Sequence, residues 1–157
     1  MKEIALVGTN NKVFAGVLSS LLGRGLSVNA LVDYPEHVMV EDTRLTVSRM
    51  NFMDEEAMRS SFEGYHDAVL TYDDNLRDAA HNELALKSFA ETLTAARQAG
   101  VERVVVVGGQ DSEAFFVTLL KRIEDVDWVF ISTEGDFTNR AADEVIKPAF
   151  HREVYQG

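Results

Sequence analysis

Apolar residues along the chain follow two spacings, one typical of strands and one typical of helices. Residues 4–8 form a short apolar run that ends in glycine. The apolar positions that come next recur at helical spacing: Val13, Phe14, Val17, Leu18, Leu21 and Leu22. This pattern predicts a strand, a tight turn and an amphipathic helix, and Gly25 is the expected stop of that helix.

The same alternation continues to about residue 146. Further strands are predicted over residues 27–33, 45–50, 67–72, 104–107 and 127–132, and helices over residues 54–62, 82–98, 112–123 and 138–146. The valine run at 104–107 has no polar face, which is typical of a parallel strand covered on both sides. Strands that alternate with helices predict a three-layer, doubly wound α/β fold with a parallel sheet in the Rossmann-like order 3-2-1-4-5-6. We expect a single domain over residues 1–157.

Composition and charge limit the classes of molecule that the chain is expected to bind. The formal net charge of -11 argues against a nucleic-acid partner, which needs a basic surface to neutralise phosphates. The apolar run at the start is too short for a signal-peptide core or a membrane span, and the absence of cysteine fits a reducing compartment. We therefore expect a cytoplasmic protein with no membrane partner, whose ligand is a small molecule or a nucleotide.

The segment Gly8-Thr9-Asn10-Asn11-Lys12-Val13-Phe14 lies between the first predicted strand and helix. There a dinucleotide-binding protein turns so that helix amides face a pyrophosphate. With Asp33 and the segments VERVVVVGG and VDWVFIS, it resembles the NAD(P)-binding atypical short-chain dehydrogenases, the NmrA-like and NAD-dependent epimerase/dehydratase-like group. The resemblance covers residues 1 to about 137. It implies cofactor contacts at Gly8, Thr9, Asn10, Asn11, Lys12 and Val13.

That family carries the loop pattern G-x-x-G-x-x-G, which falls here on Gly8, Asn11 and Phe14. Asn11 is the milder replacement, because asparagine enters left-handed backbone conformations more readily than other non-glycine residues and its amide could donate to a phosphate. The ring of Phe14 must displace the helix, fill space that a cofactor would use, or pack into the core. We therefore predict weakened or lost cofactor binding.

Asp33 stands 25 residues after Gly8, near the separation at which an acid binds the adenosine ribose diol of NAD. An equally strong interpretation is that Asp33 only ends a strand and begins a turn. The resemblance also implies that Asn51 and Phe52, after the third strand, lie beside adenine. NAD, NADP and no cofactor all stay open, with NAD favoured over NADP by Asp33.

The resemblance implies a catalytic centre on the helix after the fifth strand, where such dehydrogenases use a Tyr-x-x-x-Lys pair and a serine. Ser112 falls where the serine could lie, and Lys121 is the first lysine available. The residue four positions before Lys121 is Val117, so the standard proton donor is missing. A helix N-cap is the favoured alternative role for Ser112.

Two functions therefore stay open. One is an NAD(P)-dependent oxidoreductase or epimerase-like enzyme. The other is a non-catalytic module that senses a small molecule or contributes an interaction surface. The resemblance implies a C-terminal substrate region after the sixth strand, and we expect most of that region to be missing here. If a homodimer forms, as in related proteins, we expect the helices over residues 82–98 and 112–123 to pair across a two-fold axis.

Seven acids are predicted in loops at the carboxyl ends of the strands: Asp33, Asp73, Asp74, Asp111, Glu113, Glu134 and Asp136. A solvated rim is the favoured interpretation, with a cationic or metal-associated ligand as the alternative. The four histidines, His37, His66, His81 and His151, lack the spacing of a ligand set. We therefore predict no metal site.

Overall fold

A seven-stranded parallel sheet organises the chain in the structure, a computed structural model that describes residues 3–9, 11–72, 79–147 and 153–155. The strands are β1 Glu3–Val7, β2 Ser27–Val32, β3 Leu45–Arg49, β4 Asp67–Thr71, β5 Arg103–Gly108, β6 Asp127–Ser132 and β7 Glu153–Tyr155. Their order is β3-β2-β1-β4-β5-β6-β7, and each neighbouring pair is parallel. The predicted fold class and the order of the first six strands are confirmed, and β7 extends the sheet beyond the prediction.

Helices cover both faces of this sheet. They are α1 Lys12–Gly23, α2 Glu55–Phe62, α3 Ala79–Gln98, α4 Glu113–Lys121 and α5 Phe137–Ile146, with short 3₁₀ turns at Pro35–His37 and Gln110–Ser112. The apolar sides of α1 and α5 join one core cluster with the sheet. Those of α2, α3 and α4 join the other. The molecule therefore has the three layers that the alternating pattern predicts.

The valine run of β5 shows why the sheet is buried on both faces. Val104 and Val106 belong to the cluster under α2, α3 and α4, whereas Val105 and Val107 belong to the cluster under α1 and α5. All four side chains are fully buried. Since successive strand residues point to opposite faces, an uninterrupted apolar run requires a cover on each side.

Local signals at helix ends also have their expected roles. Gly25 and Gly100 follow helices with φ of +79° and +94°, a left-handed conformation that favours glycine. Asp54 caps α2, because its carboxylate accepts from the backbone N–H groups of Glu56 and Ala57. The helix expected from residue 82 begins earlier, at Ala79, where the sequence has no apolar spacing to mark the first turn.

The strand order creates a crevice at one edge of the sheet. The chain passes from β1 to β2 and β3 on one side, and then returns to β4 on the other side of β1. At such a switch point the helices that follow adjacent strands lie on opposite faces, which leaves room at the carboxyl ends of the strands. No helix of the described residues is long and apolar enough to span a bilayer.

Candidate functional site

A pocket of about 410 Å³ opens at this switch point, within the range of roughly 300–1,000 Å³ that is common for small-molecule sites. Its described walls come from the ends of β1, β2 and β4, the loop after β3, and α3. They are formed by Val7, Gly8, Thr9, Asn11, Asp33, Phe52, Leu70, Thr71, Tyr72, Ser88, Phe89 and Thr92. The pocket therefore brings together five of the residues that the sequence assigns to a cofactor: Gly8, Thr9, Asn11, Asp33 and Phe52.

Gly8 is required by packing at the end of β1. A Cβ atom at this position would collide with Thr71 Oγ1 and would lie 3.2 Å from Cδ2 of Phe14. The Thr71 hydroxyl is held there because it donates to the Val7 carbonyl at 2.9 Å. The one retained loop glycine thus has a structural reason that involves no phosphate.

Phe14 packs into the core. Its ring is fully buried in the cluster between the sheet and the helices α1 and α5. Of the three outcomes open from the sequence, the ring therefore takes the third. The family glycine position has become a core position.

Asn11 caps α1 with its own side chain. Its Oδ1 accepts from the backbone N–H of Phe14 at 2.9 Å, and its Nδ2 donates to Thr9 Oγ1 at 3.2 Å. Its φ of -135° is extended, so the left-handed conformation considered from the sequence is not used. An amide of the first helical turn, the group that would otherwise face a pyrophosphate, is already bonded.

The other residues assigned to the loop lie outside the pocket lining. Lys12 is exposed at the first helical position, and Val13 is buried in the core under α1. Asn10 lies outside the described residues. Of the loop residues that the structure describes, only Gly8, Thr9 and Asn11 therefore line the pocket.

Asp33 and Phe52 form the side of the pocket beyond β2 and β3. Asp33 is partly exposed, and its Oδ1 accepts from the backbone N–H of Tyr34 at 3.0 Å. Asn51 does not line the pocket; its Oδ1 accepts from the Met53 N–H at 3.0 Å and closes a turn. Of the two residues expected beside adenine, the structure brings only Phe52 to the pocket.

The two candidate catalytic residues lie at opposite ends of α4. Ser112 is buried at the N-cap position, where its hydroxyl donates to the Gly109 carbonyl at 3.4 Å. Lys121 is exposed at the last helical residue, about 13 Å further along the helix axis at the usual rise per residue. Neither belongs to the described lining of the pocket, and the structure does not bring the two together.

Sequence reasoning missed the wall that Tyr72 and α3 provide. Tyr72 is buried and contacts Phe89 edge to face, with ring centroids 6.4 Å apart. Asp33 was selected as an acid 25 residues after Gly8, a rule that Tyr72 does not meet, and the place of Tyr72 at the carboxyl end of the fourth strand is the signal that could have found it. Ser88 and Thr92 stand four residues apart on α3 and therefore lie on one face of it, but their spacing alone does not show that this face borders a pocket.

Most of the predicted acidic rim lies away from this pocket. Of the seven acids, only Asp33 belongs to the described lining, and Asp73 and Asp74 lie outside the described residues. Within the described ranges, no group of three or more His, Asp or Glu residues is arranged to hold a metal ion. The described walls therefore carry one ionisable carboxylate and no lysine or arginine.

A separate polar cluster links the amino-terminal half of the sheet to the segment after α2. Asn29 Nδ2 donates to the Tyr65 hydroxyl at 2.6 Å, and Ser48 Oγ donates to Asn29 Oδ1 at 3.0 Å. Burial raises the pKa of Tyr65, and the hydrogen bond from Asn29 opposes part of that rise. None of the three residues lines the pocket, so the cluster serves to join β2, β3 and this segment.

A model of the NAD(P)H-binding family matches residues 15–116 of the chain. The match runs from the first turns of α1 to the middle of α4, and it begins directly after Phe14. The altered loop thus lies outside the segment that carries the likeness. No curated protein sequence gives a significant match.

Solved structures share the fold across nearly the whole chain. A candidate epimerase from Bacteroides thetaiotaomicron superposes with a TM-score of 0.80 at 20% identity, covering 98% of this chain and 94% of that one. A triphenylmethane reductase from Citrobacter sp., complexed with NADP(H), gives 0.76 at 15% identity, with 98% and 68% covered. An NADPH-dependent quinone oxidoreductase from Escherichia coli gives 0.75 at 16% identity, with 98% and 67% covered. At these identities the likeness shows the fold.

Proposed function

Because the chain belongs to the NAD(P)H-binding family, we propose that its pocket at the switch point binds a nicotinamide dinucleotide with reduced affinity. The observation that carries this proposal is the meeting of Gly8, Thr9, Asn11, Asp33 and Phe52 in one pocket. Three separate segments, which follow β1, β2 and β3, contribute these residues, so the fold brings them together. Two of the similar structures are named for NADPH or NADP(H), which supports the same class of ligand.

Asp33 favours NAD over NADP. A carboxylate accepts hydrogen bonds from both hydroxyls of a ribose diol, whereas it repels a 2′-phosphate. Its second oxygen, Oδ2, accepts from no described residue. This oxygen is the acceptor that we assign to the sugar.

The reduced affinity follows from Asn11 and Phe14. The Asn11 side chain competes with a phosphate oxygen for the Phe14 amide, and no described cation lines the pocket to compensate. Burial of the Phe14 ring fixes the start of α1 in this arrangement. Pyrophosphate binding therefore loses part of the electrostatic attraction that a helix N-terminus supplies.

We also propose that the domain lacks the Tyr-x-x-x-Lys proton transfer. Val117 occupies the tyrosine position of that pattern, and Lys121 lies at the end of α4 remote from its N-terminus. A buried Ser112 that bonds to a backbone carbonyl fits a structural role at the helix start. A module that senses a ligand without chemistry is the second candidate, and the same separation of Ser112 and Lys121 favours it.

Calorimetric titration with NAD, NADH, NADP and NADPH tests the binding. We expect NAD(H) to bind about tenfold more tightly than NADP(H), the effect of one charged contact. Asp33→Asn should remove this preference, while Glu36→Gln, which removes an exposed carboxylate in the next turn, should keep it. Absence of heat with all four at millimolar concentration would refute the proposal. Hydride exchange between bound NADH and a quinone would separate an enzyme from a sensing module.

Two further expectations from the sequence stay predictions. A homodimer through α3 and α4 is tested by light scattering of the purified chain, with Phe115→Ser as the variant to dissociate it, because this side chain on α4 is 39% exposed. A cytoplasmic location is tested by fractionation of cells that express the chain. Neither expectation is needed for the binding proposal.

A further inference from the structure

We propose that the pocket recognises a ribonucleoside, which it holds by the sugar diol and the base while a phosphate adds little. This inference rests on the proposed function, since it concerns the same pocket. It goes further because it makes a free nucleoside a ligand in its own right.

Two segments of the pocket wall offer hydrogen-bond acceptors. Thr71 donates its hydroxyl proton to the Val7 carbonyl at 2.9 Å. Its oxygen therefore keeps lone pairs for another partner. With the carboxylate of Asp33, the described walls match a ligand that carries hydroxyl donors.

A ribonucleoside supplies donors, and a phosphate does not. The sugar has hydroxyl donors, and the base adenine has an amino group, whereas phosphate oxygens at neutral pH only accept. A phosphate beside Asp33 would also meet a like charge, with no described lysine or arginine in the lining to offset it. Charge and hydrogen-bond polarity thus both favour the unphosphorylated part of a nucleotide.

The loop side of the pocket agrees with this preference. Asn11 Oδ1 already accepts from the Phe14 amide, so a phosphate must first displace a formed hydrogen bond. The aromatic side chains in the lining stand on both sides of this loop: Phe52 follows β3, whereas Tyr72 follows β4 and Phe89 lies on α3. Aromatic rings are suited to contact a base.

Titration calorimetry of the intact chain with adenosine, AMP, ADP and NAD tests the inference. We expect affinities for the four to agree within about threefold and to change little between low and high salt, because few charges are neutralised on binding. We expect 2′-deoxyadenosine to bind about tenfold more weakly, since a charged hydrogen bond to Asp33 is lost. Asp33→Asn should lower the affinity for adenosine by a similar factor. The exposed control Glu36→Gln should bind adenosine as tightly as the parent chain does.

Asn11→Gly gives a second measurement. Removal of the side chain frees the Phe14 amide for a phosphate, so the affinity for NAD relative to adenosine should rise several-fold. If NAD and ADP bind the parent chain at least tenfold more tightly than adenosine, and that gain falls with salt, the inference is wrong while the proposed function stands. If none of the adenosine compounds binds at millimolar concentration, the proposed function fails and the inference fails with it.

Discussion

The loop after β1 and the segments after β2 and β3 border the same pocket, but they differ in how their side chains are used. In the loop, Phe14 is buried in the core and Asn11 bonds to the amide of that same residue. Across the pocket, Asp33 is partly exposed and Phe52 is only partly buried, and both line the cavity. Asn11 and Phe14 are engaged by the start of α1 and by the core, whereas Asp33 and Phe52 keep partly exposed surface at the pocket.

Under the proposed function, the half of the pocket beyond β2 and β3 keeps its ligand contacts, whereas the loop after β1 is used by the fold. Asn11 caps the start of α1 and Phe14 packs into the core, so we expect substitutions at these two residues to change the stability of the fold. Asp33 follows β2 and is partly exposed, whereas Phe52 lies in the loop after β3, packs against the core and lines the pocket. This contrast would be contradicted if substitutions at Gly8, Asn11 and Phe14 left the free energy of unfolding almost unchanged.

The largest expected effect is at Phe14. Phe14→Gly restores the family glycine, removes a fully buried ring and places glycine in a helix, so the free energy of unfolding should fall by about 4–6 kcal/mol. Urea denaturation followed by circular dichroism measures the loss. Phe115→Gly is the matched control, because it makes the same exchange in a helix at a side chain that is 39% exposed. It should cost about 1–2 kcal/mol, and equal losses at the two sites would contradict the core role of Phe14.

A smaller effect is expected at Gly8. In Gly8→Ala the new methyl meets Thr71 Oγ1, and we expect a loss of about 1–3 kcal/mol of unfolding free energy from overpacking. Thr71→Ala removes the colliding atom, so the double variant should be more stable than the sum of the two single losses predicts, by about 0.5–3 kcal/mol.

Gly23→Ala is the control for this pair. A Cβ there meets nothing within 4 Å, and alanine is the better helix former, so we expect a gain of about 0.5–1 kcal/mol. A Gly8→Ala variant that is as stable as the parent chain would mean that packing does not require this glycine. Its retention would then have to be explained by a ligand.

Strong periodic segments were predictable from the sequence, and the site was predictable only in part. The valine run predicted β5, because a strand buried on both faces needs apolar residues at every position whichever elements cover it. The alternation of strands with helices predicted the sheet order. Strand β7, Glu153–Tyr155, is three residues long, too short for a period to show. Asp33 was predictable from its separation from Gly8, and Tyr72 could have been found from its place at the carboxyl end of β4.

The role of Phe14 could not be decided from the sequence. Its burial depends on the space between the sheet and the two helices α1 and α5, which come from distant parts of the chain. Asn11 is similar, since a cap and a left-handed turn are both open to asparagine and the backbone decides between them. The α3 wall of Ser88 and Thr92 required the position of that helix over the sheet, which helical spacing does not give.

The smallest expected effect is at the cap of α1, and it tests whether the Phe14 amide is truly occupied. Asn11→Ala leaves that amide without its acceptor and should cost about 1 kcal/mol of unfolding free energy, while Asn11→Gly should cost only a few tenths. Asp54→Ala, which removes the cap of α2, is the matched control and should cost about as much as Asn11→Ala. If Asp54→Ala is destabilising and Asn11→Ala is neutral in the same urea titrations, the Asn11 cap adds nothing to the fold. The Phe14 amide would then be available to a phosphate. The claim that the loop side chains serve the fold would be wrong for Asn11.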